Sequence, residues 1–231
     1  MDRASMLDRI RHSLKSAYLP AAGATLPPRT AAPVTLDTAT LVDSFSRELT
    51  ALRGNAHGLQ APAQAIETVI GLLRESGGDE ILAWADDALP IIGLSEAIQR
   101  AGFAILDPSV PADPAGRRDK HAQLARASAG VTGALAGLAD TGSLVLTSGP
   151  TRPRLASLLP PTHIALLPIA DLYPSLPDFF AAQPGVVRAG SNVVIITGPS
   201  RTADIELTPV LGVHGPKSLH VVLVIWRDWN S

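Results

Sequence analysis

Apolar side chains at Met6, Leu7, Ile10 and Leu14 are interleaved with charged ones over the first fourteen positions. That helical period predicts a short amphipathic helix rather than the unbroken apolar run of a secretory leader. Residues 19–33, dense in Pro, Ala, Gly and Thr, read as a linker. A second helix is expected over residues 41–52, stopped by Arg53, Gly54 and Asn55. A third is expected over residues 62–75, with Ile66, Val69, Ile70 and Leu73 on its buried face.

The period then shortens. Apolar runs at 81–84 and 103–106 flank a helix over residues 95–102 that closes on Gly102, and strand–helix–strand at this spacing predicts a parallel sheet covered by helices. Residues 111–118 read as a polar loop and 119–127 as a helix. Residues 134–139 and 143–146, separated by Asp140, Thr141 and Gly142, predict a hairpin inside that sheet. Runs at 163–168, 192–197 and 220–225 predict further buried strands, the last of them continuous enough for a central parallel position. Thr202 followed by Asp204 and Glu206 reads as the start of a helix. The expected division is an N-terminal helical arm and linker over residues 1–55 and an α/β domain over 56–231.

Composition narrows the chemistry. Hydrophobic residues make up 46% of the 231 and aromatics only 4%, so the core must be built from aliphatic side chains. A formal net charge of −2 offers no pull toward nucleic acid or an anionic membrane. The chain contains no cysteine, which removes disulfides, thiolate metal sites, cysteine-ligated clusters and a cysteine nucleophile. His12, His57, His121, His163 and His220 lack metal-ligand spacing, so no metal site and no resident cofactor are expected. No run is apolar enough to span a bilayer, and the cytoplasm is the expected compartment.

Three segments are candidates for chemistry. One is the turn Asp140-Thr141-Gly142-Ser143. The others, Gly149-Pro150-Thr151-Arg152 and Gly198-Pro199-Ser200-Arg201-Thr202, echo each other, each directly following a strand. Glycine admits a ligand to the backbone, hydroxyls donate to it, and arginine grips a carboxylate or phosphate with two N–H groups. If their strands are parallel, both turns leave from carboxyl ends and wall one anion-receptive cleft. Gly149, Thr151, Arg152, Gly198, Ser200, Arg201, Thr202 and Asp204 are its expected binding residues. Asp140 and the glycine-flanked His214 are the candidate acid–base groups.

The order of these segments resembles a known family. Residues 130–146 with the Asp140-Thr141-Gly142 turn, Ser157 to Pro160 with His163, and Gly198 to Glu206 followed by Gly212-Val213-His214-Gly215-Pro216 are similar to the LUD-domain, or lactate-utilisation protein C, pattern. In that pattern the turn acid is glutamate, and Asp140 draws the carboxylate back by one methylene. The resemblance implies a Rossmann-like three-layer α/β fold of the sugar-phosphate isomerase and CoA-transferase type, mostly parallel with a hairpin. It also implies an accessory subunit of a system that oxidises L-lactate to pyruvate beside iron–sulfur oxidoreductase partners, with a small anionic ligand. A stand-alone isomerase or CoA-transferase-like enzyme acting on a phosphorylated or CoA-linked substrate is the alternative, and oligomerisation is left open.

Overall fold

The computed structural model describes residues 2–16, 36–111, 113–188, 190–203, 209–211 and 214–225. The chain divides into two units, Met1–Val34 and Thr35–Ser231. In the first lies helix α1 (Arg3–Ser16), whose Met6, Leu7, Ile10 and Leu14 are exposed. The expected linker at 19–33 lies outside the described residues.

The second unit opens with α2 (Thr38–Ala51), where the Asp37 side chain caps the Thr40 N–H. Leu41, Phe45 and Leu49 recur at four-residue spacing and are buried. Strand β1 (Asn55–Gln60) follows, then α3 (Pro62–Glu75), with Pro62 in its first turn. The buried face of α3 is Ala65, Val69, Leu72 and Leu73, rotated from the expected one; Ile66 is only half-buried. Next come β2 (Glu80–Ala83), α4 (Leu94–Arg100) and the short β3 (Ala104–Ile105). Gly102 adopts φ 98° after α4, as the helix stop requires. Helix α5 (Pro114–Leu124) starts five residues earlier than expected, because Asp113 accepts the Gly116 N–H and Pro114 suits the first helical position.

Strand β4 (Ala129–Gly133) is buried along its whole length, and beyond it the chain leaves the first sheet. β5 (Ala136–Leu138) and β6 (Ser143–Ser148) pair antiparallel through the expected turn, with Gly142 at φ 61°. Then follow β7 (Thr162–Pro168), β8 (Leu172–Tyr173), α6 (Leu176–Ala182), β9 (Asn192–Ile196), β10 (Arg201–Ala203), β11 (Pro209–Leu211) and β12 (Ser218–Val224).

Six strands form one parallel sheet in the order β1-β12-β7-β4-β2-β3. Its inner strands carry the aliphatic runs seen in the sequence, and Val221 to Val224 are fully buried. From β2 the chain moves outward to β3 and returns to β4 on the other side of β2, so the strand order reverses there. The hairpin belongs not to this sheet but to a second one of four strands, β8-β5-β6-β9. In it β9 lies antiparallel to β6 and half-exposed, not parallel and buried as its composition suggested. Residues 201–203 are likewise extended, pairing antiparallel with 209–211 instead of opening a helix. Asp204 and Glu206 lie outside the described residues.

Two glycines hold these layers together by being small. A Cβ on Gly142 would stand 2.3 Å from the Leu49 backbone nitrogen, so α2 rests directly on the hairpin turn. A Cβ on Gly130 of β4 would stand 1.7 Å from the Ala156 carbonyl oxygen, in the 3-10 turn Arg154–Ser157 laid across that strand. Gly130→Ala is therefore expected to cost about 3 kcal/mol or more in urea unfolding. Gly149→Ala, where the added methyl meets open space, should stay within about 0.5 kcal/mol. Equal effects would refute the contact.

Candidate functional site

The antiparallel register of β6 and β9 decides where the candidate turns go. Leu144 pairs with Ile196 and Ser148 with Asn192, so the turn after β6 and the turn after β9 leave from opposite ends of the pair. The first lies at the carboxyl end of β2, where the Ala85 N–H donates to the Thr151 carbonyl. The second reaches the amino end of β12, where the Ser200 N–H donates to the Pro216 carbonyl. The expected cleft with both turns as walls does not form, since it required parallel strands.

Different segments are brought together instead. Beside the start of β6, Thr197 meets the Asp140 turn. Ser143 Oγ donates to Thr141 Oγ1 at 2.9 Å, and Thr141 Oγ1 donates to Asp140 Oδ1 at 3.2 Å. Ser143 and Thr197 hydroxyls are 2.8 Å apart. A hydroxyl has one proton and Ser143 has spent its own, so Thr197 is the donor and the chain of hydroxyls points toward the carboxylate. On the far side of this loop, Ser200 packs on Gly215, next to the exposed His214. Asp140 is exposed as well. Arg201 and Thr202 enter only through their backbone strand, and Gly212 and Val213 lie outside the described residues.

At the other end, Gly149 and Arg152 exchange backbone hydrogen bonds in a tight turn. The Arg152 side chain is half-buried. Its Nη1 donates to Thr147 Oγ1 at 2.9 Å, and its guanidinium stands 5.8 Å from the centre of the Trp84 ring. Among the described residues no acid pairs with it. Beside it opens a cavity of about 470 Å³, walled by the exits of β2 and β3 and by Pro150, Thr151 and Pro153. This is the carboxyl edge beside the reversal of strand order, where open α/β sheets bind ligands. In its wall Asp86 Oδ1 accepts the Ser95 N–H, and Asp107 Oδ1 accepts both the hydroxyl and the N–H of Ser109. Those two bonds hold the Asp107 carboxyl below the usual carboxylate range. Trp84, another wall residue, has its Nε1 buried without a partner.

Three further groups were not singled out from sequence. His57 Nε2 lies 3.1 Å from His220 Nδ1, and His220 Nε2 lies 2.8 Å from Ser218 Oγ. The ring centroids are 5.3 Å apart, close to the N···N distance plus two ring radii, so the imidazoles meet edge to edge rather than face to face. Parallel pairing of β1 with β12 joins these two histidines across 163 residues. His163, wholly buried, shares its Nε2 with Thr132 Oγ1 at 2.8 Å. Asp171 follows the carboxyl end of β7, and burial raises its carboxyl to about 6. Among the described residues no group of three or more histidines or acids is placed to hold a metal ion.

A family model for the LUD domain matches residues 42–224. The chain belongs to the LUD-domain family. Among its relatives in that comparison, the "Uncharacterized protein YkgG" of Escherichia coli (strain K12) is 34% identical over 170 residues, 71% of each chain. The "Lactate utilization protein C" of Anoxybacillus flavithermus (strain DSM 21510 / WK1) is 32% identical over 165 residues, 70% of each. A DUF162 family protein from Deinococcus radiodurans, known from a crystal structure, superposes with TM-score 0.56 at 20% identity. The match covers 82% of this chain and 99% of that one, and it shows the shared fold. No described helix is long and apolar enough to cross a membrane.

In this LUD-domain chain a buried histidine and a half-buried aspartate set opposing pH responses. Burial pushes His163 from 6.5 down to about 4, so below 6.5 the unfolded chain takes a proton that the native state refuses. Stability is lost as pH falls from 6.5 toward 4. Asp171 does the reverse: raised from 3.8 to about 6, it binds a proton in the native state first, and stability is gained as pH falls from 6 toward 4. His57 and His220, lowered mainly by burial, act with His163. Urea midpoints from pH 7 to 4.5 should therefore fall more steeply in Asp171→Asn than in the parent. His163→Asn should flatten the loss by about one proton, or about 1.4 kcal/mol per pH unit. Curves that run parallel in all three proteins would show that neither group is held as described.

Proposed function

We propose that this chain serves lactate utilisation as a subunit without redox centres of its own, holding a small carboxylate at Arg152. The observation that carries the reading is a half-buried guanidinium, without an acid partner among the described residues, at the carboxyl edge of the sheet. It spends one N–H on Thr147 and lies over Trp84, which leaves the fork free to take a carboxylate with two parallel hydrogen bonds. Relatives named for lactate utilisation support the substrate class. The absence of cysteine supports a division of labour in which iron–sulfur oxidoreductase partners carry the electrons. In this reading the chain binds and orients the acid, and its own residues form no covalent bond to it.

Asp140, Ser200, Arg201 and His214 belong to the opposite end and do not share this carboxylate. Calorimetry with L-lactate and pyruvate should show Arg152→Ala weakening binding by about tenfold or more, with Arg152→Lys recovering only part of it. Arg201→Ala and His214→Ala should leave that affinity within about twofold, as sites far apart act independently. A strain carrying Arg152→Ala in place of the parent gene should grow poorly on L-lactate and normally on glucose. Full growth on L-lactate with a folded, abundant variant would sink the proposal.

A further inference from the structure

The cavity beside Arg152 is several times larger than a three-carbon acid, and most of its wall is not cationic. At about 470 Å³ it falls in the size range of small-molecule and cofactor sites. Part of its lining is apolar: Ile105, Leu106, Pro108, Pro150 and Pro153. The same lining includes two carboxylates, Asp86 and Asp107. Ser109 occupies only Oδ1 of Asp107, and Ser95 only Oδ1 of Asp86, so each acid keeps an oxygen without a hydrogen-bond donor among the described residues. A ligand that fits this lining offers adjacent hydroxyl donors to the acids and a weakly polar ring to the apolar residues.

The position of the acids sharpens the class. Asp107 stands directly beyond β3, the second strand of the unit β2–α4–β3, at the carboxyl edge. In dinucleotide-binding sheets an acid at the end of the second strand accepts the ribose hydroxyls, and the N-terminus of the helix between the first and second strands takes the pyrophosphate. Here that helix N-terminus is already met by the Asp86 carboxylate, which repels a phosphate. Trp84, in the same wall, keeps a buried N–H without an acceptor among the described residues.

We infer that the cavity takes the nucleoside moiety of a ribose-bearing ligand, its 2′- and 3′-hydroxyls on Asp107 and its base against the prolines. Any phosphates stay outside the cavity. The nucleoside lies beside the carboxylate assigned to Arg152 and rests on that reading for its neighbour, not for its own contacts.

The test is calorimetry of the full chain with adenosine, guanosine, cytidine and uridine, and with the 2′,3′-dideoxy form of whichever binds. At least one riboside is expected to bind below millimolar, and its dideoxy form about tenfold or more weaker, because the dideoxy form gives up two charge-assisted hydrogen bonds to Asp107. Asp107→Ala, at an exposed position, should abolish the preference for the ribose in a variant whose unfolding midpoint matches the parent's. Arg152→Ala should lose lactate and keep the riboside. No riboside binding at millimolar concentration, equal binding of the dideoxy form, or an unchanged preference in Asp107→Ala would each overturn the inference. Because the lactate arm reads Arg152 and the riboside arm reads Asp107, failure of one leaves the other standing.

Discussion

The pairing of β6 with β9 is antiparallel, and most of what the molecule can do follows from that single direction. Two turns of nearly the same sequence flank this pair, each with Gly-Pro, a hydroxyl and an arginine. Had the strands run the same way, both arginines would have opened on one edge. Running oppositely, they send one turn to the carboxyl end of β2 and the other to the amino end of β12. The four-stranded sheet thus works as a spacer, assigning the Arg152 guanidinium and a hollow to one edge and a directed chain of hydroxyls ending on Asp140 to the other.

Much of the architecture was legible because burial and composition agree where strands are covered on both faces. β7 and β12 were foreseen from unbroken aliphatic runs, and α3 was foreseen with its bounds intact. The hairpin turn was foreseen because Gly142 had to supply a left-handed backbone. The misses have physical causes. β1 reads Asn-Ala-His-Gly-Leu-Gln; as an edge strand with one pairing partner it needs little apolar surface, so it carried no strand signal. The face of α3 rotated because Ala65, too small to weigh in an apolar pattern, is the residue that lets the helix approach the core. Strand direction is invisible to periodicity altogether, since an apolar alternation looks the same read toward either neighbour.

The candidate site divides in the same way. Arg152 and Thr151 were picked out by residue type, and the structure sets both beside a hollow. Asp107, Asp86 and Trp84 were not picked out, because nothing local marks an acid after a two-residue strand as more than a turn-former. They acquire meaning only when the strand order shows which end of which unit they occupy. The histidine pair was out of reach for another reason: 163 residues separate His57 from His220, and parallel pairing of the first and last strands of the sheet is a fact of topology alone. The Ser218-x-His220 spacing was the one local hint, since residues two apart on a strand share a face.

The loop that carries Arg152 is pinned twice, once by its own Gly149–Arg152 bridge and again where the Ala156 carbonyl seats against Gly130. Its length and path are thereby tied to the sheet interior, and an insertion there would have to break one anchor. The opposite wall, leaving β3 through Asp107 to Pro111, has no buried residue among those five. Divergence in what the hollow accepts has one wall free to vary: relatives can lengthen or recompose the β3 exit while the arginine turn stays put, so the shape of the pocket and the charge at its rim can evolve separately.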